Sequence, residues 1–288
     1  MPSPLVWLIT GTSSGLGRDF VLAALKRGDK VIATARGQSV EKLDDLKAQG
    51  ADILELDVTA PLSDLQAIAA KAITIYGTID VLVNNAGYVE FGSIEESTPE
   101  ETQSQYNTNV FGLLNVTRAF LPHLRERRTG TIVFIGSMAG WYGSPGMGLY
   151  TSTKHAVRAL AESLAKEVAP FGIKVLNIEP GYFRTPILQP GRFTKYEARV
   201  PAYQPIVGPE NDFQIAASGK QAGDPVRAAQ VLMELVHGDG AVKGKKIPVT
   251  IGLGSDYYEE VKAFAARTLK RVEDWGEISK STDFPKDA

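Results

Sequence analysis

Short runs rich in Val, Ile and Leu recur along the first two thirds of the chain, each bounded by Gly, Asp or Asn. They are Leu5 to Thr10, Lys30 to Ala35, Asp52 to Leu56, Ile79 to Val83, Thr131 to Gly136 and Ile173 to Ile178. Runs of this length without polar alternation predict strands buried on both faces. Between them apolar positions return every three or four residues over Leu16 to Lys26, Val40 to Gln49, Leu62 to Tyr76, Pro99 to Arg127 and Leu149 to Val168, which predicts helices. Strict alternation of the two elements requires right-handed crossovers. The expected fold class is therefore α/β: a doubly wound parallel sheet with helices on both faces.

Beyond Pro180 the rhythm loosens. Residues Phe183 to Gly223 hold Pro186, Pro190, Pro201, Pro205 and Pro209 among scattered aromatics, and the stretch is expected to be an irregular lid over a binding site. A helix over Val226 to Val236, a last strand over Lys246 to Ile251 and an amphipathic helix over Ser255 to Trp275 follow. No repeat or linker divides the chain. Residues 1–254, including the lid at 183–223, are expected to form one domain, with 255–288 as a C-terminal helical extension.

Composition narrows the chemistry. The 288 residues carry 31 basic and 33 acidic side chains, so a formal charge of −2 supplies no field to draw in nucleic acid or anionic lipid. Without cysteine there is no disulfide framework, thiolate metal site or thiol nucleophile, and His123, His155 and His237 lie too far apart for ligand spacing, so no metal is expected. His155 follows Lys154 but points about 100° away around the helix, which makes it a solvated residue. The apolar start Leu5 to Ile9 is too short for a signal segment, and no run approaches the roughly 18 residues of a membrane span. A cytoplasmic protein is expected.

Three local patterns carry candidate chemistry. Gly11, Thr12, Ser13, Ser14, Gly15, Leu16 and Gly17 stand where the first strand gives way to the first helix, so their backbone can approach a pyrophosphate at the helix N-terminus. By itself such a turn also serves as a tight strand-to-helix connection. At the end of the second strand Ala35 takes the place usually held by an acid for a ribose 2′-hydroxyl, and Arg36 follows, a planar cation suited to a 2′-phosphate or a plain solvated loop arginine. Tyr150 and Lys154, four apart, share one helix face, where an ammonium would favour the phenolate.

With Asn84 to Gly87 after the fourth strand, Asn109, Ser137 thirteen residues before Tyr150, and Pro180-Gly181 after the sixth strand, residues 5 to about 186 resemble the short-chain dehydrogenase/reductase family. The resemblance implies a Rossmann fold and NADP(H) as cofactor. It implies Tyr150 as general acid of carbonyl reduction, Ser137 orienting the substrate oxygen, Lys154 lowering the tyrosine pKa and binding the nicotinamide ribose, and Asn109 holding a relay water. It further suggests Asp57 and Val58 at the adenine, Asn85, Ala86 and Gly87 along the cofactor, Thr185 near the carboxamide, and Tyr150, Pro180 and Gly181 among the cofactor-binding residues. Met138, Tyr142, Met147, Tyr182 and Phe183 would line the substrate pocket. With the apolar lid residues Ile187, Leu188, Phe193, Tyr196, Tyr203, Ile206, Val207, Phe213 and Ile215, they favour a bulky hydrophobic carbonyl or alcohol as partner. A homodimer or homotetramer through the long helices is expected. A silent NADP-binding sensor or scaffold and a non-redox isomerase or cyclase are the alternatives.

Overall fold

The computed structural model describes residues 4–188 and 196–284. Strands β1 (Val6–Ile9), β2 (Lys30–Ala35), β3 (Asp52–Glu55), β4 (Val81–Asn84), β5 (Gly130–Ile135), β6 (Ile173–Pro180) and β7 (Thr250–Leu253) form one sheet in the order β3-β2-β1-β4-β5-β6-β7. Every pairing is parallel. The order reverses between β1 and β4, and open sheets of this kind bind ligands in the crevice beyond the carboxyl ends of such a pair.

The apolar runs explain the layering. Side chains alternate along a strand, so Trp7 and Ile9 of β1 enter one core with Phe20, Val21 and Leu232, while Val6 and Leu8 enter the other with Leu65, Val116 and Phe120. The first core is covered by α1 (Gly15–Arg27), and the second by α3 (Leu62–Tyr76) and α5 (Leu113–Arg127); α6 (Gly148–Val168) extends that layer over Phe134 with Val157 and Ala161. After the short α2 (Asp44–Ala48) and α4 (Pro99–Tyr106), the later helices are α7 (Gln204–Ala217), α8 (Pro225–His237), which joins α1 on the first core, α9 (Ser255–Asp274) and α10 (Gly276–Lys280). Among the described residues no helix is long and apolar enough to cross a membrane.

Four expectations change. The helix over Val40 to Gln49 divides into a 3₁₀ stretch, Gly37–Leu43, and α2, a path that buries both Leu43 and Leu46. The helix over Pro99 to Arg127 is continuous in path, but widens to a π turn at Asn107–Gly112, which sets Asn109 into the interior with 2% of its surface exposed. The last strand starts at Thr250 rather than Lys246, because Pro248 has no N–H to give to a ladder.

The lid is the fourth. It is not irregular throughout, since α7 fills Gln204–Ala217 despite Pro205 and Pro209. Pro205 falls in the first turn, where its missing N–H costs nothing, and Val207, Asn211 and Gln214 are buried against the body. Both ends of the lid are pinned at one point, where Phe183 and Gly223 form a parallel bridge and Arg184 N–H donates to Gly223 O at 2.9 Å. Pro190 and Phe193 lie outside the described residues.

Candidate active site

Beyond the ends of β1 and β4 opens a cleft of about 680 Å³, within the usual range for small-molecule sites. One half is built from the glycine turn. Thr10 Oγ1 accepts from Asn85 N at 2.9 Å and Ala86 N at 3.0 Å, and Asn85 Nδ2 donates to Thr10 O at 2.8 Å, so the turns after β1 and β4 are locked together. Gly11 has φ +70, and a Cβ there would come within 2.8 Å of Ala86 Cα; a side chain at Gly17 would strike the Asn85 amide and Gly11 O. Gly11, Ser13, Ser14, Gly15 and Leu16 border the cleft together with Asn85, Ala86 and Gly87. Thr12 faces inward, its hydroxyl donating to Thr34 O at 3.0 Å, and Gly17 is buried in the first turn of α1.

This half fits a dinucleotide. Gly15 takes φ +59 with Thr185 Cβ 3.6 Å from where a Cβ would stand, and Ser14, Gly15 and Leu16 bring the start of α1, where helix N–H groups favour an anion, to the border of the cleft. No acidic residue occupies the first turn of α1. Across the cleft Ala35, Arg36, Ser39 and Lys42 form the rim, with Arg36 exposed. Ser39 and Lys42 carry no site signal in the sequence, because only the 3₁₀ path of 37–43 brings them back beside Arg36. Leu56 and Val58 border the same end, while Asp57 uses Oδ1 to accept Thr59 N at 2.9 Å and Thr59 Oγ1 at 2.7 Å.

The other half carries the acid and base groups. Ser137 ends the extension of β5, and Tyr150 and Lys154 project from the first turns of α6; all three border the cleft. Burial pushes the Tyr150 phenol up to about 12, opposed by a hydrogen bond with Ser137. Burial likewise pulls Lys154 down to about 8; its Nζ donates to Ile135 O at 2.7 Å and lies 5.6 Å from the Tyr150 ring centre. The lysine-driven lowering of the tyrosine expected from the sequence does not figure among the influences on the phenol: loss of water raises it, the Ser137 hydrogen bond lowers it, and Tyr182 raises it further.

Asn109 sits behind this group. Its Nδ2 donates to Tyr88 O at 3.0 Å and Thr153 Oγ1 at 3.3 Å, and its Oδ1 accepts Tyr88 N at 3.1 Å. Both amide protons are engaged in holding the 85–88 turn against α6.

Met138, Tyr142, Met147, Tyr182 and Phe183 all border the cleft, as do Pro180, Gly181 and Thr185. From the lid come Ile187, Leu188, Gln214 and Gln221. Tyr196 and Val207 pack inward, but Ile206, Phe213 and Ile215 are 56%, 57% and 40% exposed, so these three cover neither core nor pocket as fully as their sequence suggests.

Two further groups of residues shape the site without a signal in the sequence. Asp256, in the first turn of α9, accepts Tyr182 N at 2.5 Å, and Tyr257 donates its hydroxyl to the buried Glu179 carboxylate at 3.0 Å. The expected division at residue 254 therefore runs through bonds that shape the turn after β6. Gln214 and Gln221 are 1% and 4% exposed, and Gln221 has no partner for either side-chain amide atom. Nothing local distinguishes these four positions; only the return of α7 and α9 to the cleft does.

A glycine-lined crevice at the sheet's reversal point, joined to a serine, tyrosine and lysine at its far end, is the architecture of short-chain dehydrogenases, and this chain belongs to that family. The family model for short chain dehydrogenases matches residues 5–195. The oxidoreductase BOA17 of Botryotinia fuckeliana is 33% identical over 276 residues, 95% of this chain and 97% of its own. The 3-ketodihydrosphingosine reductase of Bacteroides thetaiotaomicron is 41% identical over 182 residues, 63% of this chain and 65% of that protein. Among solved structures, a short-chain dehydrogenase from Streptomyces avermitilis superimposes with a TM-score of 0.87 at 40% identity, covering 98% of this chain and 100% of that one. The structure of ElxO with NADP bound gives 0.71 at 27% identity, covering 89% and 100%.

Proposed function

We propose that the protein is an NADPH-dependent reductase of bulky hydrophobic ketones or aldehydes, with Tyr150 as the general acid. The observation that carries the reading is the pairing in one cleft of a glycine cradle rimmed by Arg36 and Lys42 with Ser137, Tyr150 and Lys154. The cradle and α1 N-terminus would hold the pyrophosphate, Arg36 and Lys42 the 2′-phosphate, and Lys154 the nicotinamide ribose. When bound, the cofactor supplies hydride to the carbonyl carbon.

The protein's own part is placement and proton supply. Ser137 donates a hydrogen bond to the substrate oxygen, and Tyr150 passes its phenolic proton to that oxygen as negative charge develops there. A phenol held near 12 keeps its proton at neutral pH, and a nascent alkoxide is basic enough to take it. Lys154 restores that proton from the interior. Because the Asn109 amide protons are engaged, a relay water there would sit on a main-chain carbonyl, of the kind a π turn leaves without its usual helical partner.

ElxO was solved with NADP and a relative from Bacteroides thetaiotaomicron acts as a 3-ketodihydrosphingosine reductase, which favours the phosphorylated cofactor and a long apolar ketone. The reading extends to a homodimer or homotetramer in the cytoplasm, associating through the outer faces of the long helices; Phe111, 49% exposed between α4 and α5, supports such a contact. Its test is carbonyl-dependent NADPH oxidation followed by absorbance across ketones from acetoacetate size to fused rings. Highest kcat/KM at the bulky apolar end supports it, and a maximum at the small polar end contradicts it.

A further inference from the structure

The substrate half of the cleft is not uniformly apolar. Gln214, on α7 and 1% exposed, borders it, and the amide is held in one orientation. Its Nε2 donates to Glu210 Oε1 and to the Tyr182 hydroxyl oxygen, each at 2.7 Å. A carboxylate oxygen only accepts, so the nitrogen must face Glu210 and Oε1 must face the other way. That Oε1 is buried and has no hydrogen-bond donor. Tyr182, having accepted from Gln214, keeps its own proton to donate, and its phenol acts electrostatically on Tyr150, which places the two at the same end of the cleft.

A free donor on Tyr182 and a free acceptor on Gln214 are therefore separated by a single amide group. Buried polar groups left unpaired are costly and are satisfied in native structures by water or ligand. Glu210, Asp256 and Glu260 all push up the phenol pKa values of Tyr142 and Tyr182, so the field over this part of the pocket is negative.

We propose that the Tyr182–Gln214 pair reads a second polar group on the substrate, an uncharged hydroxyl or secondary amide that both accepts and donates, and that Glu210 fixes the pair and disfavours carboxylates. This rests on the reading of the cleft as a carbonyl-reducing site. Tyr182 donates to the oxygen of that group, and Gln214 Oε1 accepts its O–H or N–H. Sites built to satisfy such a group discriminate strongly against analogues that lack it. Gln214 and Glu210 are positioning and specificity residues, not catalytic ones.

The test uses ketones of one aliphatic skeleton carrying hydrogen, methoxy, hydroxyl or carboxylate at successive positions away from the carbonyl. Binding is measured by calorimetric titration into full-length protein saturated with NADP+, so no turnover intervenes, and kcat/KM is measured in parallel with NADPH. At one position the hydroxyl ketone should bind about 5- to 30-fold more tightly than the unsubstituted one, as two net hydrogen bonds allow, with methoxy between and carboxylate weakest. Within Tyr182→Phe, and separately within Gln214→Leu, the ratio of hydroxyl to unsubstituted binding should fall below about threefold. Tyr182→Phe removes one hydroxyl and keeps the test valid if the leucine variant does not fold. A hydroxyl ketone no better than its parent at every position, or a carboxylate equal to it, overturns the proposal. If none of the ketones is reduced, the reductase reading fails while the binding ratios still decide this one.

Discussion

Lys154 has 7% of its surface exposed, and burial brings its pKa from 10.5 down to about 8. A cation whose folded-state pKa lies below its unfolded one destabilises the fold wherever both states are protonated. At pH 7 the full cost is present, and the drop to about 8, at roughly 1.36 kcal/mol per pH unit, amounts to about 3 kcal/mol. As pH rises from 8 to 10.5 the folded protein sheds this proton first, so stability climbs and the penalty vanishes. Lys154→Met keeps the chain length and removes the charge. It also deletes the bond to Ile135 O, a loss of about 1 kcal/mol. The net gain at pH 7 is about 2 kcal/mol, or roughly 4 °C in Tm for a chain of this size. Calorimetric melts of the cofactor-free proteins at pH 7 and pH 10 read it directly: the variant should melt higher at pH 7, lose most of its advantage at pH 10, and lose turnover at both. A variant less stable at pH 7, or an advantage undiminished at pH 10, would refute the reasoning.

Arg36→Asp should reverse the cofactor preference, lowering NADPH affinity roughly ten- to hundredfold by removing a charge-assisted contact, as measured by fluorescence titration. Equal affinity of the unsubstituted protein for NADPH and NADH would defeat that assignment. In kcat/KM for NADPH, which reports the cofactor-free protein, the profile should be level below pH 7 and fall about tenfold per pH unit above 8 as Lys154 loses its proton, with no limb from Tyr150 before about 12. A profile flat to pH 10 would show that the ammonium is not needed.

Strands and the cofactor half of the site are legible in the sequence because their signals are local. A run such as Val31 to Ala35, buried on both faces, has no other stable use in a chain of this size, and a glycine turn between strand and helix fixes its own geometry. The lid is not legible for the opposite reason. Pro205, Gly208 and Pro209 oppose a helix locally, yet α7 forms because Val207, Asn211 and Gln214 find partners more than a dozen residues away in sequence, among them Tyr196 N, which donates to Asn211 Oδ1 at 3.0 Å. Asp256 is hidden for the same reason, since its carboxylate meets the Tyr182 N–H across 74 positions of chain. The direction of the Tyr150 pKa also needs the fold. Spacing places Lys154 beside the phenol, but only the packed structure shows that burial is the largest influence on both groups, raising the phenol and lowering the ammonium.

The central claim, that Tyr150 is the acid of a carbonyl reduction, is tested most directly by single-turnover NADPH oxidation with a bulky ketone in the unsubstituted protein and in Tyr150→Phe. The substitution deletes one hydroxyl and leaves the glycine cradle and Lys154 in place, so NADPH affinity should change by less than about threefold while the chemical step slows by about 10² to 10⁴. Oxidation by the phenylalanine variant at the unsubstituted rate would contradict the claim.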